Sequence, residues 1–587
     1  MVRQYPSYTN YSFTDLNTLR HSIVSSKDTY VAVDTETTGL HWQNGDRAFG
    51  VALAWDDKCV FLRNSDYGTD KIGLLLSDIF SADEKVYCLH NAEFDFHMMK
   101  ETYAVDPPPS ILDTLRVSHL YDSKMSHSLK DWGTAVFGKA ASFHEDILTE
   151  YRKAYKIKNY SHIPPEIMDS YAANDAVLTK SLAEVFTPVV ERDSSRLLEL
   201  EQSLVPVIYE MERNGLRIDL DYTEKLRHTF ILEKRQIEDK IYKIIGKPLD
   251  IGSSQQLARY FYERLGVEAT VQTTGGESGD NKRASTGKEA LETIVHPVGT
   301  EVAQLVLKWR ELEKVVTTYL DPFLSKVKNG RIHPRWNATG TITGRFSSSE
   351  PNFQNIPKDD RIRRCIVPDQ EFVDMDFSQI ELRVMAHVSK EQSMIDAFIE
   401  GEDLHALTAS AIYGKPEVDD KERAIGKRIN FGVIYGIGRK KFAKSASISE
   451  KDAQAYLDRY WKIYPNIKKY FDSTIKSAQR RGYVETLFGR KVKIDEERPY
   501  AAVNYIVQGT AGDITKVSLL RTYNYLKGTG GTICNTVHDQ ILYDGLEEHQ
   551  VPKLKEIMEN FNFVMPTPVD VQRSTKSWGD LIDVQTS

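Results

Sequence analysis

Residues 372–387 read FVDMDFSQIELRVMAH, and the fold turns on how they are read. Phe372, Val373, Met375 and Phe377 predict a short buried strand. Ser378 with Glu381 has the S-x-x-E spacing of a capping box, which predicts a helix opening there. Asp376 therefore stands at a strand-to-helix junction. A carboxylate in that position is most often a solvated turn residue, so its weight as a catalytic candidate comes from the rest of the chain.

Residues 531–544, GTICNTVHDQILYD, read as two short strands joined at His538-Asp539, with Asp539 at the hairpin tip. Two carboxylates from separate strands, holding two Mg²⁺ ions, are what a nucleotidyl transfer needs. Asp539 is therefore the partner expected for Asp376. Between them, residues 421–445 carry Lys421, Arg423, Lys427, Arg428, Arg439, Lys440, Lys441 and Lys444 against Glu422 alone, a local charge of 8 − 1 = +7. The four-residue stepping Arg423, Lys427, Phe431, Tyr435 lays two cations and then two rings along one helix face. Cations suit a triphosphate, and rings stack on base and sugar. A merely solvated basic helix would explain the charges but not the ordered rings. Residues 343–357, TGRFSSSEPNFQNIP, read as a loop in which Arg345, Gln354 and Asn355 offer donors for sugar edges and phosphates.

The N-terminal third carries a second acidic set. Residues 30–36, YVAVDTE, predict a buried strand whose two-residue period puts Asp34 and Glu36 on one face. Their repulsion is most simply relieved by a divalent cation. Asn91-Ala-Glu-Phe-Asp95 opens a helical stretch after the strand KVYCLH, and Tyr171 and Asp175 sit at i and i+4 of a later helix. From residue 197 to 245 the pattern is long, charged and helical, with Pro206 and the break at Asn214-Gly215 favouring paired helices inside one domain over a dimeric coiled coil. Ser253 or Ser254 is placed at a helix N-terminus, and residues 273–286, TTGGESGDNKRAST, have the composition of a loop suited to clamp a duplex.

The 587 residues predict three or four domains, and 76 basic against 84 acidic side chains give a formal charge of −8, so a nucleic-acid site must be a local basic surface. Cys59, Cys88, Cys365 and Cys534 form no C-x-x-C pair, which argues for a reducing compartment and against a zinc module. No signal peptide and no run of about eighteen apolar residues is present, so a cytoplasmic protein without a membrane span is expected.

DTE, then N-x-x-F-D, then Y-x-x-x-D resemble the three exonuclease motifs of the DEDD family in its tyrosine variant. MDFSQIELRVMAH, RAIGKRINFGVIYG and VHDQ resemble motifs A, B and C of the family A DNA polymerases, with further matching blocks at TGRFSSSEPNFQNIP and NYIVQGTAGDITK. The resemblance runs from about residue 30 to the C-terminus. It implies an α/β multidomain protein: a ribonuclease H-like 3′→5′ exonuclease domain over residues 1–195, a thumb over 196–335, and palm and fingers over 336–587, with the fingers at about 388–498. The start so close to the exonuclease motifs suggests that the 5′ nuclease domain of the bacterial enzyme is lacking. With no large insertion in the thumb, a compact phage replicative polymerase in an infected bacterial cytoplasm is the expected origin.

What the resemblance implies for the sites is specific. Asp34, Glu36, Asp95 and Asp175 would ligate two Mg²⁺ ions, with Tyr171 orienting the attacking water. Asp376, Asp539 and the Phe377 carbonyl would ligate two more, Mn²⁺ being an alternative ion. Arg423 and Lys427 would meet the triphosphate, with Lys427 counted as catalytic. Phe431 and Tyr435 would flank sugar and base, Gln379 and His405 would join the nucleotide site, and Glu381 would exclude a 2′-hydroxyl. Arg345, Gln354, Asn355, Asn504, Gln508 and His538 would contact primer or template. Primer–template DNA and dNTPs are the implied partners of a monomer, alongside replisome proteins such as helicase/primase and single-strand binding protein. Gln540 stands where many relatives have glutamate and Tyr500 where arginine is frequent. A single-subunit RNA polymerase is the first alternative, opposed by Glu381 and the intact exonuclease motifs. An exonuclease or DNA-binding protein with a relic polymerase half is the second, opposed by Asp376, Lys427 and Asp539.

Overall fold

A computed structural model describes residues 3–13, 15–82, 84–273 and 284–584. The strand expected at residues 30–36 is Tyr30–Thr37, inside a six-stranded sheet ordered Thr9–Asn10, Lys58–Arg63, Ala48–Trp55, Tyr30–Thr37, Val86–Leu89, Ile111–Asp113. It pairs antiparallel with Ala48–Trp55 and parallel with Val86–Leu89. Val31, Ala32 and Val33 are all buried because helices cover both faces. Val31 and Val33 pack with Leu16–Val24, Thr69–Phe80 and Ala92–Tyr103, while Ala32 packs toward Ala172, Ala173 and Ala176 of the helix Pro165–Asn214.

That helix is fifty residues long and departs from helical geometry at Ser194 (φ −158°, ψ 48°). It ends at the break expected from Asn214-Gly215. Gly215 has φ +57°, and a Cβ there would sit 2.5 Å from the Ile332 carbonyl oxygen, so only glycine fits. The strand Leu216–Ile218 follows, paired with Arg331–Ile332 and Ile366–Val367, and then the helix Leu220–Ile245, capped by Asp219. Of the two serines considered, Ser253 is the cap, accepting from the Gln256 N–H. Residues 274–283 of the expected clamp loop lie outside the described residues.

The strand Phe372–Phe377 is the centre of a five-stranded antiparallel sheet ordered Thr532–Val537, Gln540–Asp544, Phe372–Phe377, Val569–Ser574, Ile582–Asp583. Its faces divide by the strand period: Val373, Met375 and Phe377 join the core shared with the long helix, whereas Phe372 packs with Trp578 and Leu542. Six helices lie between Gln392 and Arg481, and the helix Ala502–Leu526 contacts the strand Thr532–Val537 of this sheet.

Helices of the N-terminal and C-terminal parts meet across buried charge. Glu201 of the long helix takes Arg490 (2.6 Å) and Lys516 (2.7 Å) on Oε1, and Arg490 also pairs with Asp513 (2.6 Å). Arg116, on the helix Thr114–Tyr121, donates to the Glu201 carbonyl (2.6 Å) and to Glu93. Glu201, Arg490, Asp513, Lys516 and Arg116 are each no more than 2% exposed. All four cysteines are free and buried. Among the described residues, no helix is long and apolar enough to cross a membrane.

Candidate active sites

The sheet register sets Asp376 opposite Gln540 on one side and Asp570 on the other. The hairpin turns at His538-Asp539 as expected, with His538 in the left-handed region (φ +56°). Gln354 holds that turn, accepting from the His538 N–H (2.9 Å) and donating to the Thr536 carbonyl (2.7 Å). The Phe377 N–H donates to the Asp539 carbonyl (3.3 Å), which draws the hairpin tip to the end of the central strand. Oδ1 of Asp376 is buried with no hydrogen-bond partner among the described residues. Burial, then the charges of Asp539 and Asp374, pushes the Asp376 carboxyl up to about 8, and burial raises Asp539 as well. A carboxylate with one buried, unpartnered oxygen, set among acids that repel it, is what a divalent cation relieves, so these residues fit the expected metal.

The capping box expected from Ser378 and Glu381 is absent. The helix is Ile380–Ser389, its N-cap residue is Gln379 in the left-handed region (φ +54°), and no side chain caps it. Glu381 points elsewhere: it accepts from the Tyr435 hydroxyl (3.0 Å) and from Arg345. The stronger acceptor demand of a cation and a phenol outcompetes a local backbone N–H.

A true capping box, Asp419 with Glu422, opens the helix Asp420–Ile434. Arg423, Lys427 and Phe431 lie on it, and Tyr435 is the first residue past its end. Arg423 is tied to Asp403 at 2.5 Å, while Lys427 is exposed and makes no ion pair among the described residues. The buried His405 ring lies 5.7 Å from Phe431. Gln508 lies beside the Tyr435 hydroxyl. The amide nitrogen of Asn504 and the amide oxygen of Gln379 are buried without partners among the described residues. Asn355 is exposed, with its carbonyl taken by the Tyr319 hydroxyl (2.5 Å), whereas Gln354 is 6% exposed with both ends of its amide used by the hairpin. Gln354 therefore braces the turn and presents no free donor at a surface.

In the N-terminal sheet, ligand oxygens of Asp34, Glu36 and Asp175 lie within 4.8 Å of one another. Asp95 stands beside them, turned so that Oδ1 accepts from the Thr35 N–H (3.0 Å) and hydroxyl (2.6 Å). Burial raises Asp34 to about 6, and burial together with Asp34 raises Glu36 and Asp95 well above the carboxylate range. Burial likewise keeps the Tyr171 phenol protonated. This set also suits divalent ions. A cleft of about 530 Å³ is lined by His90, Asn91, Ser128, Arg335, Asn337 and Thr339, among others.

Sequence reasoning missed Asp374, Thr35 and Lys130. Asp374 shares a strand face with Asp376, a signal legible from the period of two. Lys130 sits in the first turn of the helix Leu129–Phe137, where a cation opposes the helix dipole, and its Nζ bonds Asp175.

Two acidic centres on two sheets, the second faced by a helix of cations and rings, define a multidomain α/β protein with an exonuclease domain and a polymerase domain. The model of DNA polymerase family A matches residues 220–580 and a 3′–5′ exonuclease model matches residues 12–191. The chain belongs to DNA polymerase family A. It is 37% identical over 399 residues to the thermostable DNA polymerase I of Thermus thermophilus, covering 64% of this chain and 47% of that protein. It is 29% identical over 607 residues to DNA polymerase I of Borreliella burgdorferi, covering 97% and 64%. The chain thus spans about half to two thirds of the length of these relatives. A solved structure described as the POL domain of Pol1 from M. smegmatis in complex with DNA primer-template and dNTP matches with a TM-score of 0.82 at 25% identity, covering 98% of this chain and all of that one.

Proposed function

We propose that the chain is a template-directed DNA polymerase with a 3′→5′ proofreading exonuclease. One observation carries this reading: Glu381, five residues after Asp376, receives Arg345 from the 343–357 loop and Tyr435 from the end of the cationic helix. Three distant stretches thus meet beside the carboxylates of Asp376 and Asp539.

In this reading residues 1–195 are the exonuclease domain, 196–335 the thumb and 336–587 the palm and fingers. Asp376, Asp539 and the Phe377 carbonyl would hold two Mg²⁺ ions, or Mn²⁺ in their place. Asp34, Glu36, Asp95 and Asp175 would hold two more. When bound, such ions supply Lewis-acid stabilisation of the charge that develops in phosphodiester formation or hydrolysis. Lys427 and Arg423 bind the triphosphate, Arg423 leaving Asp403 to do so. Phe431 and Tyr435 stack on sugar and base, and Glu381 closes the space a 2′-hydroxyl needs. At the exonuclease centre Tyr171, kept neutral, orients the attacking water. The cleft by Asn91 and Ser128 brings a single strand to it. The partners are primer–template DNA and dNTPs, with replisome proteins around a monomer in the cytoplasm.

Primer extension with dNTPs, with rNTPs and with no nucleotide tests this reading. Extension with dNTPs and shortening with none is the expected result, whereas preferential use of rNTPs would favour an RNA polymerase. Shortening without extension would mean that the C-terminal centre is inactive.

A further inference from the structure

Lys130 is the second residue of a helix whose N-cap, Ser128, accepts from the Asp131 N–H. Its position works against the dipole, and its side chain does not turn to solvent. Nζ bonds Oδ1 of Asp175, lies 3.6 Å from Oε2 of Glu145 and stands 4.4 Å from the centroid of the Tyr171 ring. Asp175 and Tyr171 belong to the exonuclease centre. Glu145, on the neighbouring helix Phe143–Tyr155, is outside its ligand set.

We propose that Lys130 is a resident competing cation of the exonuclease centre, holding Asp175 until a divalent ion takes that carboxylate and then withdrawing to Glu145. The inference rests on reading Asp34, Glu36, Asp95 and Asp175 as a divalent-ion site. An ammonium and a metal ion cannot share one carboxylate oxygen at close range without strong repulsion. The lysine stem is flexible and its head is a compact point charge, so moving from one carboxylate to the other needs only rotamer changes. Glu145 is what separates this arrangement from a static ion pair, because it gives the displaced ammonium a second acceptor beside the first. The expected consequence is a lower divalent affinity than the acidic set alone would have. In the metal-free protein, the same ammonium keeps carboxylates that repel one another from splaying apart.

The test is Mn²⁺ binding by titration calorimetry on the full chain carrying Asp376→Asn and Asp539→Asn, which silences the other centre. One elementary charge at this range is worth at least about tenfold in affinity. Lys130→Met should bind Mn²⁺ at least tenfold more tightly, while Lys130→Arg, which keeps the charge, stays near the parent. Glu145→Gln, which removes the place of retreat, should weaken binding several-fold, and Lys130→Met should cancel that loss. Unchanged or weaker Mn²⁺ binding by Lys130→Met overturns the proposal. So does a loss of metal-free single-strand affinity in Lys130→Met with Mn²⁺ affinity unaltered, since Lys130 would then be a strand contact. Asp34→Ala with Glu36→Ala serves as the control. If this variant left Mn²⁺ binding intact, the divalent-site reading itself would fail, independently of Lys130.

Discussion

The side-chain amide of Gln540 donates a hydrogen bond to Oδ2 of Asp374, the buried acid two residues before Asp376 on the same strand face. Trp578 Nε1 donates to the same oxygen at 3.1 Å. Gln540 is one of the two positions where the sequence departs from the pattern it otherwise resembles, and the departure has a local cause. A glutamate at 540 would put a second carboxylate where the amide now donates to Asp374.

Gln540→Glu should therefore impair extension. Replacing a hydrogen bond to a charged acceptor by a repelling pair costs on the order of 2–3 kcal/mol, which is tenfold or more in kcat/KM if it is felt at Asp539 next door. Asp374→Asn added to Gln540→Glu should restore most of the loss, because a neutral amide can donate to the new glutamate. Steady-state extension kinetics on the two singles and the double give the cycle. A double variant no better than Gln540→Glu would disprove the coupling.

Asp374 also sets a pH dependence. Burial pushes its carboxyl up to about 6, despite the bonds from Trp578 and Gln540. A carboxyl raised in the folded state favours folding below its unfolded pKa, and that contribution is lost as pH rises through about 6. In chelator, Asp374→Asn should match the wild type near pH 4 and be the more stable protein at pH 8, by roughly 2–3 kcal/mol from a shift of about two units. Melting curves at the two pH values check this. A pH-independent difference would mean that the Asp374 carboxyl has the same pKa in the folded and the unfolded chain.

Asp34→Ala with Glu36→Ala should abolish primer shortening and leave extension within a few-fold of normal. The reason is that the two acidic centres lie on different sheets and share no ligand. Gel assays with and without dNTPs read both activities at once, and a parallel loss of extension would contradict separate centres.

Glu381→Ala should admit ribonucleotides, since removing the carboxylate opens the space beside the sugar. A steric exclusion of a few kcal/mol corresponds to about a hundredfold in the dNTP-over-rNTP ratio. Because Arg345 and Tyr435 both lose their acceptor, KM for dNTPs should rise as well. Competition between matched dNTP and rNTP measures the ratio, and an unchanged value would remove Glu381 from the sugar pocket.

Much of this was legible in the sequence because strands and hairpins announce themselves by period. Asp34 with Glu36, Asp376 and the Asp539 tip all fall where alternation put them, and the helix bearing Arg423, Lys427 and Phe431 forms as the four-residue stepping required. Tyr435 lies just past its end. Local pattern failed where a distant partner won. Glu381 looked like a cap but serves Arg345 and Tyr435, and Gln354 looked like a DNA donor but is consumed by the hairpin. Lys130 and the Asp374–Gln540 pair depend on contacts between stretches far apart in sequence, which spacing alone does not report.

The charges gathered around Glu201 bear on how such a chain can be reassembled. A graft that exchanged the first two hundred residues for those of a relative would have to bring a guanidinium equivalent to Arg116 and leave Glu201 facing Arg490 and Lys516. Otherwise it would strand an uncompensated ion in a dry interior, a cost of several kcal/mol. Hybrids cut near Ser194 and lacking that match should therefore be destabilised as whole molecules, because one charge cluster is shared by the segments on both sides of the cut.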